Sequence, residues 1–258
     1  MPISVKIPGS ELNLARRRGA ARTEIDFIGE LKDEAGSFTS SNLRDKAEFK
    51  LDDKTAEQFS RSPIQYQYGF TVLPGNYVMK FLARDATTGR IGTYQTSFSI
   101  PNLQKQFSTE LQRLPISSVV LSSQWAPVGS ELFSVKQKID AEHVDPFVHD
   151  GQKLLPSVTR VFSRARDMFV YLQAYERDAE TMRPVVAFVT FYQGGEKALE
   201  TQPLAVTDGM HPRSKAVPLR FSLSLDKLEP GRYDCQVTVL EPGTKRVAFW
   251  RAPITVVP

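Results

Sequence analysis

Apolar and polar residues alternate with a period of two over most segments of the chain. Tyr77, Met79 and Phe81 share one face of a predicted strand, and the same period recurs over 219–225 and 233–239. This is the period of a β-strand, in which successive side chains point to opposite faces of a sheet. Turn residues separate these segments, and helical periodicity is nearly absent. The pattern therefore predicts an all-β fold.

A Pro-Gly-x-Tyr motif occurs twice, each time directly before an alternating strand. The two copies are LPGNY (73–77) and LEPGRY (228–233). Proline fixes φ and glycine accepts positive φ, so the pair makes a sharp corner; the tyrosine hydroxyl can bond back to it, as in immunoglobulin-like sandwiches. We assign this structural role to six residues, Pro74, Gly75, Tyr77, Pro230, Gly231 and Tyr233. The repeat predicts two tandem immunoglobulin-like or fibronectin type III-like β-sandwiches.

The repeat also divides the chain. Residues 1–22 have no evident core of their own and are interpreted as an N-terminal tail, or as the end of an upstream domain. The first sandwich is predicted over 23–103, a polar linker over 104–115 and the second sandwich over 116–258. Within the second sandwich, residues 123–157 are rich in Pro, Gly, Asp and His and predict an irregular insertion.

Composition narrows the function classes. The 258 residues carry 33 Lys and Arg against 29 Asp and Glu, and these charges are scattered, which favours solubility over nucleic-acid binding. No apolar run approaches the roughly 20 residues that span a bilayer, and no signal-peptide pattern follows Met1. The single cysteine, Cys235, lies in a predicted strand and is interpreted as a small buried apolar residue.

Two polar clusters are candidates for a metal site and a polyanion-binding site. Glu142, His143, Asp145, His149 and Asp150 are all metal-ligand types in one loop, but their spacing is irregular and a solvated polar loop is favoured. The arginines of 16–18 are likewise interpreted as a solvated junction in preference to a polyanion site. We predict no metal, cofactor or catalytic residue, and keep His143 and His149 as weak ligand candidates.

Exposed aromatic residues are the other candidate chemistry. Trp125, Tyr192 and Trp250 would form a sugar-stacking platform if their rings faced solvent, although single aromatic residues on strands usually pack in a core. No nucleophile elbow is present, and Gly194-Gly195 lacks the lysine of a phosphate-binding loop. We therefore expect a protein that is not an enzyme.

Four blocks of the first half resemble the region that follows the von Willebrand factor A-like domain in the VWFA-related proteins of Acidobacteria. They are IDFIGELKDEAG (25–36), FTVLPGNY (70–77), FLARDATTGRIGT (81–93) and IPNL (100–103). Residues 5–7 and 16–19 also look like the end of that A-type domain. The Asp-x-Ser-x-Ser metal motif of A-type domains is missing from the sequence, so metal-dependent adhesion is not expected of these residues.

The resemblance implies an exported protein, whether periplasmic, cell-surface or secreted, whose family has no established molecular role. The leading hypothesis is a non-enzymatic spacer or protein-interaction region whose partner is a protein or an extracellular polymer. The alternative is a carbohydrate-binding accessory module that uses Trp125 and Trp250. A hydrolase that uses His143 and His149 is a third option.

Overall fold

Strands account for nearly all of the secondary structure in the computed structural model, which confirms the all-β class. They form four sheets. The chain divides into two units, Met1–Asn102 with Glu131–His143, and Leu103–Ser130 with Val144–Pro258. The structure describes residues 2–12, 15–17, 20–36, 38–52, 55–57, 64–70, 72–102, 113–128, 134–135, 145–176, 182–212 and 214–258.

The first unit contains a three-stranded and a five-stranded sheet. Its strands are β1 (Pro2–Ile7), β2 (Ala15–Arg17), β3 (Ala20–Asp33), β4 (Thr39–Leu51), β5 (Ile64–Gly69), β6 (Gly75–Asp85), β7 (Ile91–Ile100) and β9 (Ser134–Val135). In the smaller sheet β5 pairs antiparallel with β1 and parallel with β9. In the larger sheet β3 pairs with β2, β4 and β6, and β6 pairs with β7, all antiparallel.

Alternation along these strands builds the core of the first unit. On β4 every fourth residue from Leu43 to Leu51 is buried, because that face of the strand is turned to the core. The ring of Phe27 stacks on that of Tyr66 with centroids 3.9 Å apart. Offset aromatic stacking adds stabilisation beyond area burial. The phenol of Tyr66 also donates a hydrogen bond to Asp45 Oδ2 at 3.1 Å.

The N-terminal segment differs from the tail that the sequence predicted. Residues 2–7 pair with the whole of β5 as β1, and Ile3, Val5 and Ile7 pack against the core of the first unit. A 3-10 turn at Gly9–Glu11 follows. The alternation of these three residues is what buries the strand, and its partner lies some sixty residues downstream, so the local pattern alone could not reveal it.

The second unit contains a five-stranded and a six-stranded sheet. Its strands are β8 (Val120–Pro127), β10 (Val148–His149), β11 (Gln152–Pro156), β12 (Val161–Ser163), β13 (Met168–Tyr175), β14 (Val185–Gln193), β15 (Glu196–Glu200), β16 (Leu204–Val206), β17 (Ala216–Leu223), β18 (Gly231–Glu241) and β19 (Arg246–Val257). The first sheet has the order β10-β11-β8-β13-β17. The second has the order β12-β19-β18-β14-β15, with β16 also paired to β14.

Parts of the predicted linker and insertion belong to regular structure. Leu114, at the end of the predicted linker, is fully buried in the core of the second unit. Within the predicted insertion, β8 and β11 form an antiparallel ladder that β10 extends. The sequence does not reveal this ladder because β10 and β11 are short and β8 and β11 each end at a proline, Pro127 and Pro156. Residues 129–133 and 136–144 of the insertion lie outside the described residues.

Each unit contains a hairpin, and the two hairpins have the same register. Tyr77 pairs with Phe98 across β6 and β7, and Tyr233 pairs with Ile254 across β18 and β19. The turns also correspond: Gly89 and Lys245 occupy the same position in them and have positive φ, 74° and 58°. The sequence repeat therefore extends without a gap from the corner to the end of each hairpin.

Candidate functional site

Both tyrosine corners make the bond that their motif led us to expect. The hydroxyl of Tyr77 donates to the carbonyl oxygen of Leu73 at 2.7 Å, and the hydroxyl of Tyr233 donates to that of Glu229 at 2.8 Å. Each carbonyl lies four residues before its tyrosine. A Cβ built on Gly75 would lie 3.4 Å from the Tyr77 ring, which is an ordinary van der Waals contact. Neither Gly75 nor Gly231 has the positive φ that the motif predicted, because each glycine begins a strand. Both rings are buried.

The histidine cluster is only partly described. His143 and Glu142 lie outside the described residues. His149 is exposed on β10, with its Nε2 3.4 Å from Asp150 Oδ2. The Asp145 carboxylate instead contacts Lys153 Nζ at 2.9 Å and accepts the Phe147 amide at 3.0 Å. Among the described residues no group of three or more candidate ligands is close enough to hold a metal ion.

The two tryptophans each turn part of their ring to the protein. Trp125 packs edge-on against Phe169 with centroids 6.1 Å apart, in a small cluster with Phe147 and Leu154. Trp250 packs against the main core of the second unit. The more exposed aromatic residues are Phe38, Tyr94 and Phe249. The sugar platform that the sequence suggested would therefore have only partial ring faces at positions 125 and 250.

The second unit contains a buried cluster of charged residues that was not predicted from the sequence. Arg246 lies between two buried carboxylates, with its Nη2 3.2 Å from Glu176 Oε2 and its Nε 2.6 Å from Glu241 Oε2. Arg183 also contacts Glu241 at 3.5 Å, and Thr244 donates a hydroxyl hydrogen to it. The four charged residues come from two distant parts of the chain, Glu176 with Arg183 and Glu241 with Arg246, so no local motif predicts the cluster.

The cluster shifts the pKa values of its two carboxyl groups in opposite directions. Burial, with the charge of Glu241 next, raises the pKa of Glu176. Burial alone would also raise the pKa of Glu241, but the Thr244 hydroxyl and the Arg246 guanidinium outweigh it and lower that pKa. Glu176 is thus the group that holds a proton more readily, and Glu241 is the ionised partner of Arg246.

An apolar groove lies in the first unit between the ends of β1 and the start of β7. It encloses about 290 Å³ and opens to solvent. Ile25, Phe81 and Ala83 line it, together with Val5 and Ile7 of β1 and Ile91 to Tyr94 of β7. Ile91 and Tyr94 are 58% and 67% exposed. Large exposed apolar side chains beside an apolar groove are typical of a binding surface.

The sequence carried a partial signal for this groove. The alternation of Tyr94, Thr96, Phe98 and Ile100 on β7 predicts one buried face, yet the residues of β7 are exposed from Ile91 to Ser97. Among the described residues, no second strand pairs with β7 beside β6. Only the structure shows which part of the strand is exposed.

Comparisons with known proteins give little to add to this geometry. No protein-family model matches the chain, and no curated protein matches it. Among solved structures, the dimeric latent PorU from Porphyromonas gingivalis is similar over 100% of this chain and 22% of the PorU chain, with 9% identity and a TM-score of 0.29. A similarity this low carries no argument about fold or function.

The described residues include no helix that is both long and apolar enough to cross a membrane.

Proposed function

We propose that the chain is a non-enzymatic pair of immunoglobulin-like or fibronectin type III-like sandwiches, which serves as a spacer or protein-interaction region of an exported VWFA-related protein. The observation that carries the proposal is the repeated corner at the start of β6 and β18. In immunoglobulin-like sandwiches a tyrosine corner stands near the start of the sixth strand, F, which pairs with G and C.

Strand order supports the sandwich assignment in both units. In the first unit β4-β3-β6-β7 has the order C′-C-F-G, and β1-β5 has the order B-E. In the second unit β15-β14-β18-β19 has the order C′-C-F-G, and β8-β13-β17 has the order A-B-E. Under this proposed assignment, the tyrosine corner of each unit falls on strand F. The family resemblance in the first half, together with the export that it implies, adds the cellular setting.

The interaction role is supported by the groove of the first unit. A sandwich that serves only as a spacer gains nothing from exposing Ile91 and Tyr94 beside an apolar cleft, because such surface favours aggregation. Binding of a partner protein would account for this exposed apolar surface.

Cross-linking tests the interaction role. The full chain, carrying a photoactivatable cross-linker, is incubated with the envelope and secreted fractions of the source organism, and captured proteins are identified by mass spectrometry. We expect one or a few specific protein partners, and no turnover in a broad ester and peptide substrate screen. Reproducible turnover would contradict the non-enzymatic assignment. Absence of any captured protein would leave the spacer role alone.

The carbohydrate-binding alternative is separated by a glycan array. Binding to a sugar that disappears in Trp125→Ala or Trp250→Ala, but persists in Phe38→Ala, would favour the alternative over a protein partner. Phe38 is a suitable control because it is an exposed aromatic residue of the first unit.

A further inference from the structure

The second unit shows what fills the space that the groove leaves open in the first. There, Arg113 pairs parallel with Val247 of β19, and the Leu114 amide donates to the Val247 carbonyl at 3.1 Å. Two residues on, Ile116 pairs antiparallel with Ala174 of β13. The segment 113–117 thus spans from the last strand of one sheet to a strand of the other.

This covering segment, defined as residues 113–117, inserts one aliphatic side chain. Leu114 is fully buried in the same core cluster as Val185, Val237 and Val239. Pro115, next in the chain, accepts the Tyr175 amide at 2.9 Å. Proline also restricts the residue before it to extended backbone, which suits an inserted strand.

The corresponding positions of the first unit form the groove. The shared hairpin register equates Ile91 with Val247, Phe81 with Val237 and Ala83 with Val239. The pairing of the neighbouring strand likewise equates Ile25 with Val185. All four of these first-unit residues line the groove. Among the described residues, no strand pairs with the free edge of β7.

We propose that the groove is an acceptor site for one extended segment of a partner protein. The segment pairs parallel with β7 at Ile91 and inserts a branched aliphatic side chain over Ile25, Phe81 and Ala83, as Leu114 does in the second unit. Backbone hydrogen bonds to a strand edge supply affinity in such complexes, and the pocket for the side chain supplies specificity. This inference deepens the protein-interaction role and rests on it.

The charged residues that line the groove favour a particular charge beside the anchor residue of the partner segment. Lys6 and Arg90 both line the groove. Arg90 is already paired with Glu11 at 2.7 Å, whereas no acid of the described residues is in ion-pair contact with Lys6. The uncompensated ammonium group favours a partner segment with an acidic residue beside its aliphatic anchor.

Peptide binding tests the proposal on the full chain. The probe is a fluorescein-labelled peptide with the sequence of residues 110–119 (ELQRLPISSV), which carries the covering segment and an acidic flank. We expect saturable binding by fluorescence anisotropy, weakened at least tenfold when the anchor leucine of the peptide is replaced by aspartate. Tyr94→Asp in the protein should weaken binding at least tenfold, because Tyr94 is paired with Phe81 and lines the groove, and Lys6→Glu should weaken it about two- to fivefold.

Leu73→Asp is the matched control variant, because Leu73 is an exposed aliphatic residue of the same unit outside the groove lining. Its affinity for the peptide should stay within twofold of the parent. Circular dichroism melting of each variant confirms that it is folded. Hydrogen exchange locates the site: the peptide should slow exchange at amides of β7 and leave those of β4 unchanged.

Three outcomes would overturn the acceptor site. One is the absence of saturation at about 1 mM peptide, and another is equal binding of a scrambled peptide. The third is a dimer of the chain that Tyr94→Asp dissociates, which would assign the groove to a second copy. Because the cross-linking experiment detects partners on any face, a captured protein combined with a failed peptide test would reject the groove and keep the interaction role.

Discussion

Tyr77 and Tyr233 each combine a buried ring with one hydrogen bond, and substitution can separate the two contributions. Tyr→Phe removes only the hydroxyl bond to Leu73 or Glu229, so we expect a loss of about 1 kcal/mol in the free energy of unfolding. Tyr→Ala also removes the ring and should cost roughly 3 kcal/mol. Urea denaturation measures both losses. An unchanged midpoint in either alanine variant would contradict the corner.

The raised pKa of Glu176 predicts a pH-dependent effect of its neutral isostere. Above its ordinary pKa of 4.5, the unfolded chain ionises Glu176 while the folded chain resists ionisation because of burial and the nearby Glu241 charge. Stability is therefore lost as pH rises through that window, at no more than about 1.4 kcal/mol per pH unit for one proton. Glu176→Gln removes the loss, so its stability relative to the parent should increase with pH.

Urea titrations between pH 4 and 8 check this expectation. Glu241 has the opposite sign, because its lowered pKa stabilises the fold above its ordinary pKa and is lost as pH falls. The Glu241 contribution is present in the parent and in Glu176→Gln alike, so it should largely cancel in the difference between the two proteins. Glu196→Gln, at an exposed glutamate of β15, serves as control and should follow the parent at every pH. A pH-independent difference for Glu176→Gln would contradict the assignment.

At the scale of elements, the two equivalent hairpin turns place an arginine at the same position in opposite environments. Arg90 forms an exposed pair with Glu11, whereas Arg246 stands between the buried Glu176 and Glu241. We expect Arg90→Ala to cost less than about 1 kcal/mol and Arg246→Ala about 3–5 kcal/mol, since two buried carboxylates lose their partner. Urea denaturation compares them, and equal losses would contradict the contrast.

Strand patterns explain which elements could be predicted. The hairpin from Tyr77 to Ile100 was visible because its turn residues and alternation are local. The pairing of β1 with β5 was hidden, since Ile3, Val5 and Ile7 gain their partners from a segment some sixty residues away. The hydroxyl bonds of Tyr77 and Tyr233 follow the motif, whereas the groove could not be predicted, because it depends on which strand edge has no paired strand among the described residues.

At the scale of the whole molecule, the chain divides into two units. The predicted linker begins at residue 104, and the units divide after Asn102. The sequence did not predict that residues 131–143 belong to the first unit, because β9 has only two residues and pairs with a distant strand. A pair that short adds too little periodicity for any pattern to detect.

If the two units fold as independent modules, the labelling rate of a buried thiol in one unit should not change when the other unit is destabilised. Cys235 is fully buried in the second unit, and burial raises the pKa of its thiol to about 12, so thiol reagents should reach it only after that unit opens. Tyr233→Ala, at a cost of roughly 3 kcal/mol, should accelerate its labelling about a hundredfold. Tyr77→Ala should change the rate less than twofold.

Labelling in native buffer at pH 8, followed by intact-mass measurement, gives these rates. The fully denatured variants must label at one common rate, which shows that the substitutions leave the intrinsic reactivity of the thiol unchanged. Comparable acceleration by Tyr77→Ala would mean that the two units open as one cooperative body. The protected thiol thus distinguishes a tandem of modules from a single fold that merely repeats a hairpin.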